Sequence, residues 1–488
     1  MLQLYERKFF WDSPWPTAVT DENGLFQVLG TDTEMTQIDP QLRIWTMCSR
    51  RRGSPYSSKK LTNSSALLLK EILRKKSDSL SWLEQLCDDF GPRHVGSASL
   101  ENAIDWVLAS LRSDNFSAHS EPVPGLPHWV RGDDSAYIVE PRLHKLNILA
   151  IDGSPPGQME KEVVVIESLF ELKAKNIAGK IVVTDQKWSG YGRTMKFRKI
   201  AAEAAKLGAA AVLVKSVTPF SLYTPHTGAG ARGSPIPAAC ITAEESAMIS
   251  RWTRRGKRVI IRLNITSAES PEPVLSRNVV FEILGTTLPH EVVLLSAHMD
   301  SWDIGQGALD DGGGMAAVRA AMLAIQRLGR INPAFRPKRT IRGVFWTAEE
   351  QGTLGAIYYH DDHPTGKERF VFASETDQGA FRPRNYNSLL RYQGDERRKS
   401  LLQEIVNHLN ANGIPLRIED SRDQVDLEVF ANAGVPCVNY ESDRGKDYYF
   451  NFHHSEADYV SIFEEDDINY TAGIFAVLAH NIANLENW

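Results

Sequence analysis

The chain has 488 residues, too many for one ordinary domain, so about two or three are expected. Hydrophobic residues make up 42%, enough for sizeable cores, and a net charge of -6 argues against nucleic acid as a partner. No apolar run reaches the ~20 residues of a membrane span, and four scattered cysteines (Cys48, Cys87, Cys240, Cys437) form neither a disulfide framework nor a CxxC metal ribbon.

The opening of the chain, residues 1–75, has mixed composition and no sustained period. Glu6, Arg7 and Lys8 interrupt any apolar stretch there, so no signal peptide is expected. From Ser79 to Leu111 a helical pattern places Leu83, Leu86, Ile104, Val107 and Leu111 on a buried face. Residues 121–270 differ: Pro and Gly are frequent, and short β-branched runs such as Lys180 to Thr184 and Ala211 to Val214 flank a helix at Ile200 to Leu207. That region reads as an inserted β-rich domain. From Asn278 onward strands and helices alternate, the pattern of a parallel sheet covered by helices. The last helix, Ile468 to Leu485, carries Ile474, Val477, Leu478 and Ile482 on one face. Four sequons, at Asn63, Asn115, Asn264 and Asn469, lend weak support to a secretory route.

The alternating part repeats one chemical theme. Val292 to Leu295 is a doubly buried strand, and His298 and Asp300 follow its carboxyl end, where open parallel sheets bind ligands. Asp300 can orient the imidazole; an ordinary loop histidine with a capping aspartate would look the same. Asp310 and Asp311 precede three glycines and a helix with Met315, Val318, Met322 and Ile325 inward. Capping explains one aspartate, but two with three glycines suit close approach to an ion, and a carboxylate has two oxygens with which to bridge. Ile341 to Thr347 is followed by Glu349 and Glu350, one able to ligate while the other stays free as a base. Phe370 to Ala373 precedes Glu375 and Asp377, and Val435 to Tyr440 precedes His453 and His454. A lone histidine is more often structural. Five metal-ligand types at successive strand ends are harder to ascribe to chance.

The ordered segments AHMDSWDIGQGALDDGGG, FWTAEEQG, SETDQG and FHHSEAD resemble the co-catalytic zinc aminopeptidase family, and GPRHVGSASLENAI, PHWVRGDDSAYIVEPRLHK, YTPHTG and IPAACIT extend the resemblance from about Ser79 to the C-terminus. The resemblance implies an α/β fold with a mixed, largely parallel sheet flanked by helices. Residues 76–120 and 271–488 would form the zinc peptidase domain and residues 121–270 a protease-associated-like insertion. It implies two zinc ions per chain: one on His298 and Asp377, one on Glu350 and His454, with Asp310 bridging. Glu349 would be the general base, and Asp300, read above as orienting the imidazole of His298, is counted with it as a catalytic residue. A cis peptide is expected after the bridging aspartate, at Asp310–Asp311. Tyr223 and His226 of YTPHTG are the candidates to reach the substrate. The implied activity is hydrolysis of dipeptides or short peptides with a free N-terminus, by zinc-activated water. The resemblance also implies a homodimer and a secreted or lysosomal address, at odds with the missing signal peptide. Rival readings are a single-zinc glutaminyl cyclase, a glutamate carboxypeptidase with a basic pocket, and a receptor-like module that has lost its ligands.

Overall fold

Apolar runs between Pro/Gly-rich turns become strands, and those buried on both faces form the middle of a sheet. The structure, a computed structural model, describes residues 55–73, 78–363, 367–384, 388–422, 424–442 and 444–488. Its first sheet runs in the order Ser117–Leu126, Val274–Ile283, Arg339–Trp346, Leu288–His298, Arg369–Glu375, Cys437–Ser442, Ser388–Gln393, Arg417–Asp420. The four strands from Arg339–Trp346 to Cys437–Ser442 are parallel. Every residue of Arg339–Trp346 is buried, as is Leu288–His298 from Glu291 onward. These four strands therefore end at one edge, and the loops beyond that edge carry the acidic and histidine residues.

The larger core lies between this sheet and the helices Ser79–Phe90, Ala98–Ser113, Gly313–Ile331 and Asp467–Asn484. The single helical pattern expected from Ser79 to Leu111 is broken into two, because Gly91 takes a φ of 63° and Pro92 follows it. A helix at Pro55–Leu73 lies inside the stretch in which no period was found. Its Leu68, Leu69 and Ile72 are buried in the same core. Residues 1–54 lie outside the described residues, and with them most of the opening segment of mixed composition, residues 1–75.

The opposite face packs Val280, Leu294, Val344 and Trp346 against Tyr359 and Phe430. Trp346 is fully buried, and its carbonyl accepts the N–H of Met299, next to His298. Trp346→Ala should cost about 3–5 kcal/mol, the usual cost of emptying so large a site, measured as a lowered urea midpoint at unchanged slope.

Residues 135–265 build a second sheet, ordered His144–Leu146, Ser135–Glu140, Ile260–Ile265, Gly157–Ile166, Ile181–Thr184, Ala211–Lys215, Ala238–Ile241, Ile148–Ala150. Apolar clusters cover both faces, one with Ile249 and Trp252 of the helix Ala243–Arg254, the other with Ala201 and Ala204 of Ala201–Lys206. Cys87, Cys240 and Cys437 are free and buried, and burial raises their thiol pKa values.

Candidate metal centre

His298 is the last residue of its strand and is fully buried. Its Nε2 lies 3.1 Å from Asp310 Oδ1 and 3.4 Å from Asp377 Oδ1. On the other side His454 Nε2 lies 3.3 Å from Asp310 Oδ2 and 3.1 Å from Glu350 Oε2. The two oxygens of Asp310 thus each face a different imidazole. Ligand atoms of His298, Asp310 and Glu350 all lie within 4.8 Å of one another. The peptide Asp310–Asp311 is cis. Asp311 itself turns away: it accepts from Gly314 N (3.1 Å) at the start of the helix and from His298 N (3.4 Å), the capping role that one of the two aspartates was expected to fill.

Electrostatics follow from burying so many charges together. Burial lowers the pKa of both imidazoles, but Asp310 and Asp377 beside His298, and Glu350 and Asp310 beside His454, more than offset it, so both stand well above the ordinary value. Burial raises Asp310, yet its bonds to the two histidines hold it well below the carboxylate range. Glu350 is pushed up to about 7 by burial and then by the charge of Asp310. Glu349 is held well above its usual value by burial, and Asp426, Asp377 and Glu350 add like-charge repulsion against the opposing pull of His298.

Asp300 carries three contacts at once. Its carboxylate accepts the backbone N–H groups of Glu349 (3.0 Å) and Glu350 (3.3 Å), and lies 3.9 Å from His298 Nδ1. The imidazole is oriented chiefly by the Asp300 carbonyl, 3.0 Å from Nδ1. On the Asp377 side, Tyr449 donates its hydroxyl to Oδ1 at 3.3 Å.

The second sheet's loops reach His454. Thr227 N donates to His454 O (2.8 Å), and Thr227 O lies 3.3 Å from His454 Nδ1. His226 is fully buried; its Nδ1 donates to His453 O (2.8 Å), and it forms an antiparallel bridge with Ser455. Tyr223 is half exposed and donates its hydroxyl to Glu245 (2.8 Å). Within the chain, the Tyr223 hydroxyl is thus engaged by Glu245, and the buried imidazole of His226 holds the His454 loop. His453 is buried and stacks on His454 at 3.9 Å, and burial lowers its pKa well below the ordinary value.

Sequence reasoning missed Arg198. It is buried, donates to Thr227 O and Tyr191 Oη, and brings Nη1 within 3.0 Å of His454 Nδ1. Gly228 makes room for it, since a Cβ there would fall 1.5 Å from Nη1. No local pattern marks an arginine whose neighbour lies so far along the chain. Tyr449 was missed for the same reason.

The profile of Peptidase family M28 matches residues 278–478, and that of a transthyretin-like family matches residues 1–62. Carboxypeptidase Q of Mus musculus is 40% identical over 411 residues, covering 82% of this chain and 84% of the relative. Carboxypeptidase Q of Homo sapiens is 39% identical over 423 residues, covering 85% and 87%. A crystal structure of a peptidase M28 precursor from Shewanella amazonensis SB2B superposes with a TM-score of 0.81 at 29% identity, over 88% of this chain and 98% of that one. A zinc aminopeptidase from Bacillus subtilis shares the fold, with a TM-score of 0.62 at 18% identity over 88% and 96%. With relatives this similar over most of its length and a strand-end carboxylate–histidine cluster of this kind, the chain belongs to peptidase family M28 and is a metallopeptidase.

Proposed function

We propose that this enzyme is a two-zinc exopeptidase that hydrolyses dipeptides or short peptides with a free N-terminus. The observation that carries the reading is the division of Asp310, one oxygen toward His298 and Asp377, the other toward Glu350 and His454. The donor set suits zinc, with imidazole nitrogen and carboxylate oxygen. Glu350 Oε1 is buried without a hydrogen-bond partner. Asp310, Glu350 and His454 also line a cavity of about 10 Å³, room for a single small occupant. His298 and Asp377 would hold one ion, Glu350 and His454 the other, and Asp310 both.

Zinc bound there would supply Lewis acidity and lower the pKa of a water toward ~7. Glu349 would take the water's proton on its carboxylate and later hand it to the leaving amine. Asp300 would keep Glu349 and Glu350 in place through their backbone N–H groups.

A cavity of about 500 Å³ adjoins Asp377 through Gln378 and Tyr449. It suits a small peptide. Arg391 and Arg417 line it, but Arg391 is bonded to Glu419 (2.9 Å) and Glu441 (3.0 Å), and Asp447 adds a further acid. Two arginines against three acids do not make the basic pocket that a glutamate carboxypeptidase requires. A receptor-like module is disfavoured because the full ligand set is present. By the resemblance, we also infer a homodimer on the secretory or lysosomal route. Among the sequons, Asn115 is exposed in a turn whereas Asn469 is buried in a helix, so Asn115 is the better glycan acceptor.

Native mass spectrometry of zinc-saturated protein should give two zinc ions per chain, and the loaded enzyme should cleave free dipeptides but not their N-acetylated forms. One tight ion only, or equal cleavage of the blocked peptides, would overturn the reading.

A further inference from the structure

The His298–Asp310 contact closes a loop whose ends lie 12 residues apart. Something must hold that loop in one shape, since ligands a fraction of an ångström out of place bind metal poorly. Gly305 and Gly307 give it freedom, with φ of 65° and 57°. Two buried charges take that freedom away.

Arg93 is fully buried and spends its guanidinium on backbone carbonyls: Nε donates to Met299 O (2.8 Å), Nη1 to Gln306 O (2.7 Å) and Gly91 O (3.3 Å), and Nη2 to Gly307 O (2.8 Å). Its own backbone is laced to the same loop, N donating to Ser301 Oγ (2.9 Å) and O accepting from Ser301 N (3.1 Å). Asp458 is buried too and takes the complementary groups. Its Oδ1 accepts from Ala308 N (3.0 Å) and Leu309 N (2.7 Å), its Oδ2 from Asp310 N (3.3 Å), and its carbonyl from Gln306 N (2.7 Å). The carbonyls of residues 306 and 307 thus face a cation, and the amides of 308 to 310 face an anion. A buried charge is costly unless its hydrogen bonds are satisfied. Here each charge is satisfied by the peptide groups of this loop, so the loop cannot shift without stranding one of them.

We propose that Arg93 and Asp458 are positioning residues that set the bridging carboxylate of Asp310 against both imidazoles. Asp458 has a second lever. It lies on the turn that carries His454, with its N–H on Ser455 O (3.3 Å), so one short segment fixes a ligand and the backbone of the bridge together. Neither residue touches the reacting atoms. The proposal rests on the two-zinc reading.

The test uses the full chain stripped of metal, with Asp458→Asn and Arg93→Lys. The asparagine keeps the shape but turns an N–H donor toward a backbone N–H. The lysine keeps the charge but cannot reach four carbonyls in a fork. Zinc affinity is read by competition with a chromophoric chelator, and the melting temperature is read without metal. Asp458→Asn should weaken zinc binding about 10–100-fold, the usual cost of losing an outer partner, and Arg93→Lys should shift it in the same direction. A variant that melts lower without metal yet binds zinc with the original affinity has lost only structure, and would overturn the proposal. Should Asp458→Asn not fold, Arg93→Lys decides by the same two readouts. If the unaltered chain binds no zinc in this assay, it is the two-zinc reading that fails, and the clamp is then judged a structural feature only.

Discussion

Glu349→Gln should leave zinc content unchanged and lower turnover by roughly 10²–10⁴-fold, the range for removal of a general base. The amide can still fill the space beside His298 but cannot accept the proton. Its backbone N–H remains on Asp300, so the position of Glu350 is undisturbed. The loss should fall on kcat with little change in KM, because a proton acceptor acts in the transition state and not in ground-state binding. Elemental analysis alongside initial rates on a free dipeptide checks both halves. Near-full activity with two zinc ions would place the base elsewhere. Lost zinc would make Glu349 a structural member of the cluster.

Asp310→Ala should be the most damaging single change to metal binding. Every other member of the cluster faces one imidazole, whereas Asp310 faces two through separate oxygens. Removing it takes the shared anion from two buried histidines whose pKa values it helps to raise, and leaves the N–H groups held by Asp458 in place. Zinc affinity should fall by more than the ~10–100-fold typical of outer partners, with neither ion retained at micromolar zinc. Glu350→Gln should be milder, weakening the ion on the His454 side and sparing the other. Chelator competition on the two variants separates them, and equal losses would argue against a bridge.

The difference between what the sequence revealed and what it hid is one of range. The members of the cluster were legible because they lie in the loops beyond buried strands, and parallel strands deliver their carboxyl ends to one edge. His298 after Val292 to Leu295, and Glu349 with Glu350 after Ile341 to Thr347, needed only local reading. The strand expected at Val435 to Tyr440 is found at Cys437–Ser442, a small slip because Gly434, with a φ of 87°, and Pro436 delay its start. The helix Pro55–Leu73 was not legible, since the basic and polar residues before it mask Leu68, Leu69 and Ile72. The partners of the ligands were hidden for a different reason. Arg93 and Asp458 act on peptide groups, which every residue has, so no side-chain pattern points to them. His226 drew notice as a histidine in a Pro/Gly-bounded loop, and its bond to the His453 carbonyl emerges only when residues far apart in sequence meet.

The ligand-bearing ends belong to segments that are far apart along the chain, and the His454 turn is tied by the Ser455–His226 bridge to the second sheet. An ion seated among them would join segments of the first sheet, closing several long loops at once, and the Ser455–His226 bridge would pass that constraint to the loops of the second sheet. In the unfolded chain these groups are scattered and bind weakly, so occupancy and folding are thermodynamically linked. At a free ion concentration 100 times the dissociation constant the gain is about 2.7 kcal/mol per site. With metal bound at this site, its supply during folding would set how much of the chain survives, apart from how fast each molecule works.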